Sequence, residues 1–330
     1  MISNTTLKEI AKTLLDSRSV ILFPHENPDG DAIGSCVALC KALRNQGIEA
    51  WVLIDELLPE LIEFLDEPGE GVCGEPCCTM DHQCVRQPDI CVFIDCSGDD
   101  RILKRAEKFH TGRKSICIDH HLTAESAEDL YYIDSEEAAT AQIIYKLLVE
   151  MGVEFDRSIA NAIYTGICMD TGNFKYSNTT AESHRIVAEL MDIGIDHDAI
   201  MLQLYSNVDP RETRLESAAL ANMDLLADGQ AAIACVTQEL LQECDAKMEH
   251  ADHLIVVLRD LKGVEIAAVL KEQLSGATKV SFRAKSYADV AEIARLFGGG
   301  GHIRASGCTI DDDIETARVQ VITAIEEALS

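Results

Sequence analysis

The sequence is poor in basic residues, and this scarcity limits the partners that the chain can bind. Lys and Arg together number 28 against 57 Asp and Glu, so the formal net charge is −29 over 330 residues. Tight binding of long duplex DNA depends largely on Lys and Arg that neutralise phosphates. We therefore do not expect long duplex DNA as a partner, whereas a small anionic substrate held by metal ions stays open.

The sequence also lacks the marks of a membrane-spanning, secreted or disordered chain. No window approaches the roughly 18 uninterrupted apolar residues of a transmembrane helix. The N-terminal segment has no charged start, continuous apolar run or small-residue cleavage site, so no signal peptide is expected. Only 7 Pro and 20 Gly occur and 47% of the residues are hydrophobic, which is typical of a globular protein.

Cysteine, in contrast, is abundant, with 13 residues. Most lie inside predicted helices and strands, where a free thiol behaves as a small hydrophobic side chain. This pattern favours a reducing cytoplasm. The spacing of Cys73, Cys77, Cys78 and Cys84 matches none of the usual paired zinc motifs, so we expect a loop with incidental thiols there rather than a structural metal.

A chain of this length is expected to form about two domains. In its first two thirds, short apolar strands alternate with helical patterns, which predicts a parallel α/β sheet. The expected strands are 19–24, 48–54, 90–94 and 115–118, and the expected helices include 32–46, 138–151 and 159–169. Ligands of such sheets bind outside the carboxyl ends of the strands.

A different order of elements follows Asp209-Pro210. The expected strands are 230–236, 254–258, 264–271 and 278–284, and the expected helices are 288–297 and 314–329. We place a first domain at 1–191, a helical linker at 192–216 and a smaller α/β domain at 217–330. The active site is expected in the cleft between the two domains.

Four polar clusters stand at or near the ends of buried elements, where folding alone would not place them. Residues 25–31 follow the first predicted strand, Asp95 ends the third, and Asp119-His120-His121 ends the fourth. Asp170 follows the apolar run 162–169. Because the carboxyl ends of parallel strands meet at one edge of a sheet, we expect these clusters to converge there.

Two His and four Asp at one sheet edge require a counter-charge, since desolvated carboxylates are costly unless paired or metal-bound. Mixed imidazole and carboxylate ligands suit a Mn²⁺-type ion. Six ligands are too many for one catalytic ion with an open position, which indicates two ions. Each Asp alone could equally be a helix cap or turn residue. Four clusters in register with strand ends favour the metal interpretation.

The motifs resemble those of the DHH phosphoesterase family, which is named after an Asp-His-His triplet. This triplet stands here at Asp119-His120-His121. The order is His-x-Asn-Pro-Asp-Gly-Asp-Ala at 25–32, an Asp ending a strand, the triplet, and Asp-Thr-Gly-x-Phe at 170–174. The run 297–302, with Ala-Ser-Gly at 305–307, resembles the glycine-rich motif of the DHH-associated domain. The resemblance covers nearly the whole chain and is greatest to NrnA-type enzymes.

The resemblance implies a ligand set and catalytic residues. It assigns His25, Asp29 and Asp95 to one ion, and Asp31, Asp95, His120 and Asp170 to the other, with Asp95 bridging. Asp119 would orient a His of the triplet, His121 would face the substrate phosphate, and Asn27 would position the loop or a phosphate. The ions would be Mn²⁺, with Mg²⁺ or Co²⁺ as alternatives, and would activate a bridging hydroxide.

The substrate is expected to meet glycines and basic residues. The N–H groups of Gly299, Gly300 and Gly301 can cradle a phosphate at a helix start, although a glycine run can also be a hinge. His302 and Arg283 would add donors.

A further basic stretch, 101–118, holds six basic residues and one Glu, a net charge of +5. Its Arg101, Lys104, Arg105 and Lys108 are expected on one solvated helix face, and Arg101 is the best candidate for a substrate contact.

The resemblance implies that the chain is a metal-dependent phosphoesterase. It would hydrolyse single-stranded RNA of about two to five nucleotides to 5′-mononucleotides, and 3′-phosphoadenosine 5′-phosphate to AMP. Alternatives are a linear or cyclic dinucleotide phosphodiesterase and, in another class, a nucleotide-binding regulatory protein without turnover. We expect a cytoplasmic protein without a membrane partner, and a homodimer is compatible with the sequence.

Overall fold

The structure, a computed structural model, describes residues 2–55, 57–68, 76–79, 87–121, 124 and 126–329. Two compact units divide the chain between Ser206 and Asn207. Each unit has its own sheet and its own hydrophobic cores. The sequence places a linker at 192–216, and the division falls within that range.

The first unit alternates strands and helices. Its strands are β1 (Ile2–Ser3), β2 (Ser19–Phe23), β3 (Glu49–Ile54), β4 (Cys77–Thr79), β5 (Ile90–Ile94), β6 (Lys114–Asp119) and β7 (Leu130–Ile133). Its helices are α1 (Leu7–Leu15), α2 (Gly30–Asn45), α3 (Ala106–Phe109), α4 (Thr140–Met151), α5 (Arg157–Asp170), α6 (Ala181–Ile193) and α7 (His197–Tyr205).

The sheet of this unit confirms the predicted parallel α/β architecture. Its order is β1-β7-β6-β5-β2-β3-β4, and the neighbours from β7 to β4 are parallel. Every residue of β2 and β5 is buried, as expected for strands covered on both faces. Because Phe23 pairs with Phe93 and Ile94 pairs with Ile118, the carboxyl ends of β2, β5 and β6 lie side by side.

Glycines let three helices of the first unit pack closely behind this edge. A Cβ atom at Gly34 of α2 would lie 2.4 Å from the Ala162 carbonyl oxygen of α5. A Cβ atom at Gly166 of α5 would lie 2.6 Å from Ala141 Cβ of α4 and 2.9 Å from Asp31 Oδ1. Any larger residue at these positions would push the helices apart, so the glycines set how closely α2, α4 and α5 pack.

The second unit contains a mixed sheet. Its strands are β8 (Asp224–Leu226), β9 (Ala231–Val236), β10 (Ile266–Glu272), β11 (Thr278–Ala284), β12 (Gly300–His302) and β13 (Ala305–Ile310). Its helices are α8 (Pro210–Ala221), α9 (Gln238–Glu243), α10 (Leu254–Asp260), α11 (Val290–Leu296) and α12 (Ile314–Leu329). In the order β12-β13-β11-β10-β9-β8, β9 and β10 are parallel and the other neighbours are antiparallel.

The predicted strand at 254–258 is wrong, because this segment begins helix α10. A short, continuous apolar run fits a buried strand and a buried helix equally well. Leu254, Ile255 and Leu258 are buried on one side of the helix, in the core that α10 forms with β9 and β10. Among the described residues, no helix combines the length and apolar character needed to cross a membrane.

Candidate metal centre

The fold brings all six predicted metal ligands together at the carboxyl edge of the first sheet. His25 lies just beyond β2, Asp95 directly follows β5, and His120 directly follows β6. Asp29 and Asp31 stand at the start of α2, and Asp170 is the last residue of α5. Three clusters of potential ligand atoms, each within 4.8 Å, are His25–Asp29–Asp95, Asp31–His120–Asp170 and Asp95–His120–His121.

Asp95 lies between two imidazole rings. His25 Nε2 is 3.7 Å from Asp95 Oδ2, and His120 Nε2 is 3.6 Å from Asp95 Oδ1. His120 Nε2 is also 3.9 Å from Asp31 Oδ2 and 3.7 Å from Asp170 Oδ2. Each oxygen of Asp95 therefore faces a different group of ligands, which is the arrangement that a bridging carboxylate requires.

Hydrogen bonds at the far side of each ring fix which nitrogen faces the carboxylates. His25 Nδ1 lies 2.8 Å from the Glu26 carbonyl oxygen, and His120 Nδ1 lies 3.2 Å from the Glu137 carbonyl oxygen. A carbonyl oxygen can only accept, so Nδ1 carries the proton in both rings. With the proton on Nδ1, each Nε2 presents a lone pair toward the carboxylates. This is the usual arrangement of a metal-binding His, whose other ring nitrogen donates to a carbonyl or carboxylate oxygen.

The distances between these atoms fit shared metal ions. The Nε2–carboxylate distances of 3.6 to 3.9 Å around His120 exceed those of hydrogen bonds. Ligand atoms about 2.1 Å from one ion in an octahedral shell lie about 3.0 Å apart when adjacent and about 4.2 Å apart when opposite. The residues thus fit divalent cations in both spacing and donor chemistry.

The electrostatics of the cluster indicate the same need for positive charge. Burial, reinforced by the charges of Asp31 and Asp29, raises the pKa of Asp95 well above its ordinary value. Burial also raises the pKa of Asp31, and burial together with Asp31 raises the pKa of Asp170 to about 7. Asp95 adopts a left-handed backbone, with φ of 61°, a conformation that costs energy and concentrates at functional sites.

Asp119 holds the two other residues of the triplet by hydrogen bonds. Its Oδ1 accepts hydrogen bonds from His121 Nδ1 at 2.7 Å and from the backbone N–H groups of His120 and His121 at 2.7 and 3.1 Å. Although burial acts to raise the pKa of Asp119, these hydrogen bonds lower it below its ordinary value. Burial acts to lower the pKa of His121, but its bond to Asp119 raises it. Asp119 therefore favours the protonated ring of His121.

Two predicted residues of the 25–31 loop have additional local roles. Asp29 Oδ1 caps α2 by accepting from the N–H groups of Asp31 and Ala32, both at 3.0 Å, and lies 4.0 Å from His25 Nε2. The helix-cap interpretation therefore holds for Asp29 alongside its place in the cluster. Asn27 is exposed and has a left-handed backbone, with φ of 51°, which Asn tolerates better than most residues.

Comparison with protein families matches both parts of the chain. The DHH family, N-terminal domain, matches residues 19–167, and the DHHA1 domain matches residues 217–330. The chain belongs to the DHH family. As a member of this family it is a hydrolase of phosphoester bonds, and its chemistry depends on divalent metal ions.

Relatives and solved structures agree with this assignment. The chain is 32% identical to the bifunctional oligoribonuclease and PAP phosphatase NrnA of Thermus thermophilus, over 94% of this chain and 90% of that protein. The crystal structure of an exopolyphosphatase-related protein from Bacteroides fragilis is 25% identical, with a TM-score of 0.90 over 97% of this chain and 95% of that one. RecJ of Thermus thermophilus in complex with Mn²⁺, 15% identical, shares the fold, with a TM-score of 0.57 over 97% of this chain and 55% of RecJ.

In the DHH domain, the basic stretch 101–118 differs from the expected solvated helix face. Arg101 is exposed, and its carbonyl oxygen accepts from the Glu26 N–H at 2.7 Å. Arg101 therefore lies beside residues 25–31, the metal-ligand loop. Arg105, in contrast, is buried. Its Nη1 donates to the carbonyl oxygens of Pro24 and Leu53, each at 2.8 Å.

The buried Arg105 also has a counter-charge. Its Nε lies 2.7 Å from Asp55 Oδ2. The expectation of a solvated side chain is wrong for Arg105, because the Asp55 carboxylate neutralises its charge and the ends of β2 and β3 accept two hydrogen bonds from Nη1. Arg105 therefore connects the ends of β2 and β3, and one of its contacts is Pro24, the residue directly before His25.

In the DHHA1 domain, the glycine run follows a helix instead of starting one. Gly298, with φ of 73°, and Gly299 end α11 by donating to the carbonyl oxygens of Arg295 and Ala294, and β12 begins at Gly300. The expected helix start at these glycines is therefore wrong. The run instead enters a β-hairpin, in which the backbone positions of Arg283 and His302 both pair with Ala305. The side chain of His302 lies outside the described part of the structure.

Of the four clustered cysteines, Cys77 and Cys78 are buried in strand β4, so the expected loop is wrong for these two, and Cys73 and Cys84 lie outside the described residues. Sequence reasoning missed Thr140 and Asn178, which hydrogen-bond to Asp95 and Asp170. One signal could have found Thr140. Helix α4 has Ala139 at its N-cap position, so its first N–H groups need acceptors from another part of the chain.

Proposed function

We propose that this DHH-family hydrolase degrades very short oligoribonucleotides to 5′-mononucleotides and converts 3′-phosphoadenosine 5′-phosphate to AMP. The observation that carries the proposal is the position of Asp95 between His25 and His120, with one carboxylate oxygen toward each ring. The substrate class is supported by the relative at 32% identity, which is named for both activities.

The proposed centre holds two divalent ions, most simply Mn²⁺, with Mg²⁺ or Co²⁺ as alternatives. The proposed ligands are His25, Asp29 and Asp95 for one ion, and Asp31, Asp95, His120 and Asp170 for the other. When bound, such ions lower the pKa of water and offset the charge that develops on phosphate oxygens. The proposal is supported by the spacing of the ligand atoms and by the uncompensated carboxylates of the cluster.

His121 and Asp119 provide the proton chemistry of the proposed reaction. Asp119 holds Nδ1 of His121 at 2.7 Å and favours the protonated ring. A protonated imidazole can donate to a phosphate oxygen and stabilise the negative charge of the transition state. Asp119 itself is buried and acts through His121, so it is a positioning residue.

Basic residues and glycines of both domains are proposed to bind the nucleotide. Arg101 is exposed beside the metal-ligand loop, and Asn27 is exposed within that loop. In the DHHA1 domain we assign substrate contacts to Arg283, to His302 and to the glycines Gly299–Gly301. The net charge of −29 opposes long duplex partners, whereas short single-stranded RNA and 3′-phosphonucleotides need only a few such contacts.

We also place the protein in the cytoplasm. None of the eleven cysteines among the described residues forms a disulfide, which suits a reducing compartment. A homodimer is compatible with the proposal and is tested by the molar mass in solution.

The test compares four substrates with the purified full chain and Mn²⁺, Mg²⁺ or Co²⁺. They are a dinucleotide, a pentanucleotide, 3′-phosphoadenosine 5′-phosphate and a cyclic dinucleotide, with products separated by chromatography. We expect 5′-mononucleotides from both linear RNAs, and AMP with phosphate from the third. Asp95→Ala and His120→Ala should reduce turnover to background, whereas His197→Ala, which changes a half-buried His at the start of α7, should not.

Failure to hydrolyse both the RNAs and the 3′-phosphonucleotide with any of the three metals would refute the proposed substrate class. Cleavage of the cyclic dinucleotide alone would assign the alternative phosphodiesterase function. Full activity of Asp95→Ala would refute the proposed centre.

A further inference from the structure

Thr140, the first residue of α4, contacts two of the proposed ligands at once. Its hydroxyl donates to Asp95 Oδ1 at 2.8 Å, and its backbone N–H donates to Asp31 Oδ2 at 2.7 Å. The next N–H, of Ala141, donates to Asp31 Oδ1 at 2.9 Å. Thr140 is completely buried, so solvent does not reach Asp95 Oδ1 to replace its bond if the hydroxyl is removed.

The residues around Thr140 reach two further ligands. The carbonyl oxygen of Glu137 accepts from His120 Nδ1 at 3.2 Å and so directs Nε2 toward the carboxylates. Asn178 Nδ2 donates to the carbonyl oxygen of Ala138 at 2.9 Å and to Asp170 Oδ2 at 3.3 Å. The segment 137–141 is thus linked directly or through one side chain to Asp31, Asp95, His120 and Asp170.

These contacts are unevenly distributed over the centre. Thr140 bonds to Asp95 Oδ1, the oxygen on the side of His120, whereas Asp95 Oδ2 faces His25. The described hydrogen bonds of the other two ligands lie within their own loop: His25 bonds to Glu26, and Asp29 bonds to the start of α2. The segment 137–141 therefore bonds directly to Asp31, Asp95 and His120, whereas the described hydrogen bonds of His25 and Asp29 lie within residues 25–32.

We propose that Thr140 is a positioning residue mainly for one of the two ions, the one assigned to Asp31, Asp95, His120 and Asp170. This inference rests on the proposed two-ion centre. The hydroxyl holds Asp95 so that Oδ1 points toward His120 Nε2, and the backbone N–H groups hold the Asp31 carboxylate beside it. The described hydrogen bonds of Thr140 reach Asp95 Oδ1 and Asp31 but not Asp95 Oδ2, His25 or Asp29, so the ion assigned to His25, Asp29 and Asp95 should be affected less.

The experiment measures Mn²⁺ binding to the metal-free full chain by electron paramagnetic resonance of unbound Mn²⁺. Thr140→Val replaces the hydroxyl with a methyl group of similar size. Loss of an outer-shell partner typically weakens metal binding about 10–100-fold, so one binding step should weaken by that factor. The other step should change less than about threefold. Thr140→Ser, which keeps the hydroxyl, should restore both steps.

Thr165→Val is the matched control. Thr165 is equally buried, and its hydroxyl donates to the Asn161 carbonyl oxygen at 2.9 Å within α5. The control should bind both ions as the unmodified chain does. Asn178→Ala, which removes the link to Asp170, should weaken the same single step as Thr140→Val. It tests the inference if Thr140→Val does not fold.

Unchanged binding in Thr140→Val, equal weakening of both steps, or the same loss in Thr165→Val would overturn the inference. So would a loss in Thr140→Ser as large as in Thr140→Val. Two other results would refute the proposed centre itself. One is that the unmodified chain binds fewer than two Mn²⁺ ions, and the other is that Asp95→Ala binds both ions with unchanged affinity. The two failures are therefore distinguishable.

Discussion

The three glycines assigned to substrate binding should respond very differently to the same substitution by Ala. A Cβ atom at Gly299 would lie 2.2 Å from the Gly307 carbonyl oxygen, in the neighbouring strand β13. At Gly301 it would lie 2.6 Å from the Ala305 carbonyl oxygen, and φ there is 137°. At Gly300 it would meet no atom within 4 Å. Glycine is thus required by the fold at two positions, whereas at Gly300 it leaves space beside the backbone.

These distances give the expected stabilities. Gly299→Ala forces β12 and β13 apart and should cost about 1–3 kcal/mol of unfolding free energy, as overpacking does elsewhere. Gly301→Ala adds the cost of a left-handed backbone, about 1–3 kcal/mol more. Gly300→Ala should change the free energy of unfolding by less than about 0.5 kcal/mol. Urea denaturation of the three variants measures these differences.

Gly300→Ala, the variant expected to keep its stability, should nevertheless bind substrate more weakly. If a phosphate approaches the Gly300 backbone, the new methyl group of Gly300→Ala obstructs it and should raise KM for 3′-phosphoadenosine 5′-phosphate about tenfold, which corresponds to about 1.4 kcal/mol of binding. The Mn²⁺ affinity of this variant should not change. A Gly300→Ala protein with unchanged KM, or one as unstable as Gly299→Ala, would refute the reasoning.

Three further predictions concern the charged groups. Asp95→Asn should raise the unfolding free energy of the EDTA-treated protein by about 0.5–2 kcal/mol, because it removes a buried charge. The order should reverse at Mn²⁺ concentrations about 100-fold above Kd, where binding stabilises the unmodified chain by about 2.7 kcal/mol. Destabilisation in EDTA would contradict this. Glu265 accepts hydrogen bonds from three N–H groups and one hydroxyl, and these outweigh the effect of burial and lower its pKa. Its stabilisation should be complete above the ordinary pKa of 4.5 and lost as the pH falls below it. Glu265→Gln should therefore cost about 1–3 kcal/mol at neutral pH and progressively less in acid, as urea denaturation at several pH values would show. Arg105→Met should cost about 3–5 kcal/mol, because Asp55 and two carbonyl oxygens lose a buried partner. The exposed Lys104, 3.3 Å from the same carboxylate, is the matched control, and Lys104→Met should cost less than about 1 kcal/mol. Equal losses would refute the structural role of Arg105.

The assignment of Arg105 shows where prediction from the sequence stops. Its spacing with Arg101 and Lys104 indicated a solvated helix face, because helical periodicity is a local property of the chain. The structure buries Arg105 against carbonyl oxygens from two strands that lie 52 and 81 residues away in sequence. Such a partner set exists only after β2 and β3 have paired, so local spacing could not reveal it.

The same distinction applies to the short apolar run at Leu254–Leu258 and to the glycine run. A run of five apolar residues does not specify its backbone conformation, and the surrounding core selected helix α10. The glycine run by itself predicts a helix start. The glycines after α11 enter a hairpin because Gly299 and Gly301 permit β13 to approach more closely than any side chain would allow.

The sequence by itself determined the parallel sheet and the six residues that converge on its edge. Apolar runs define where the strands end, and parallel pairing places those ends side by side, so His25, Asp95 and His120 had to meet. Only the tertiary structure decided how they are held. The bond between Thr140 and Asp95 joins residues 45 positions apart, and that between Thr140 and Asp31 joins residues 109 apart. These contacts depend on how α2, α4 and α5 pack around their glycines, which no local pattern in the sequence specifies.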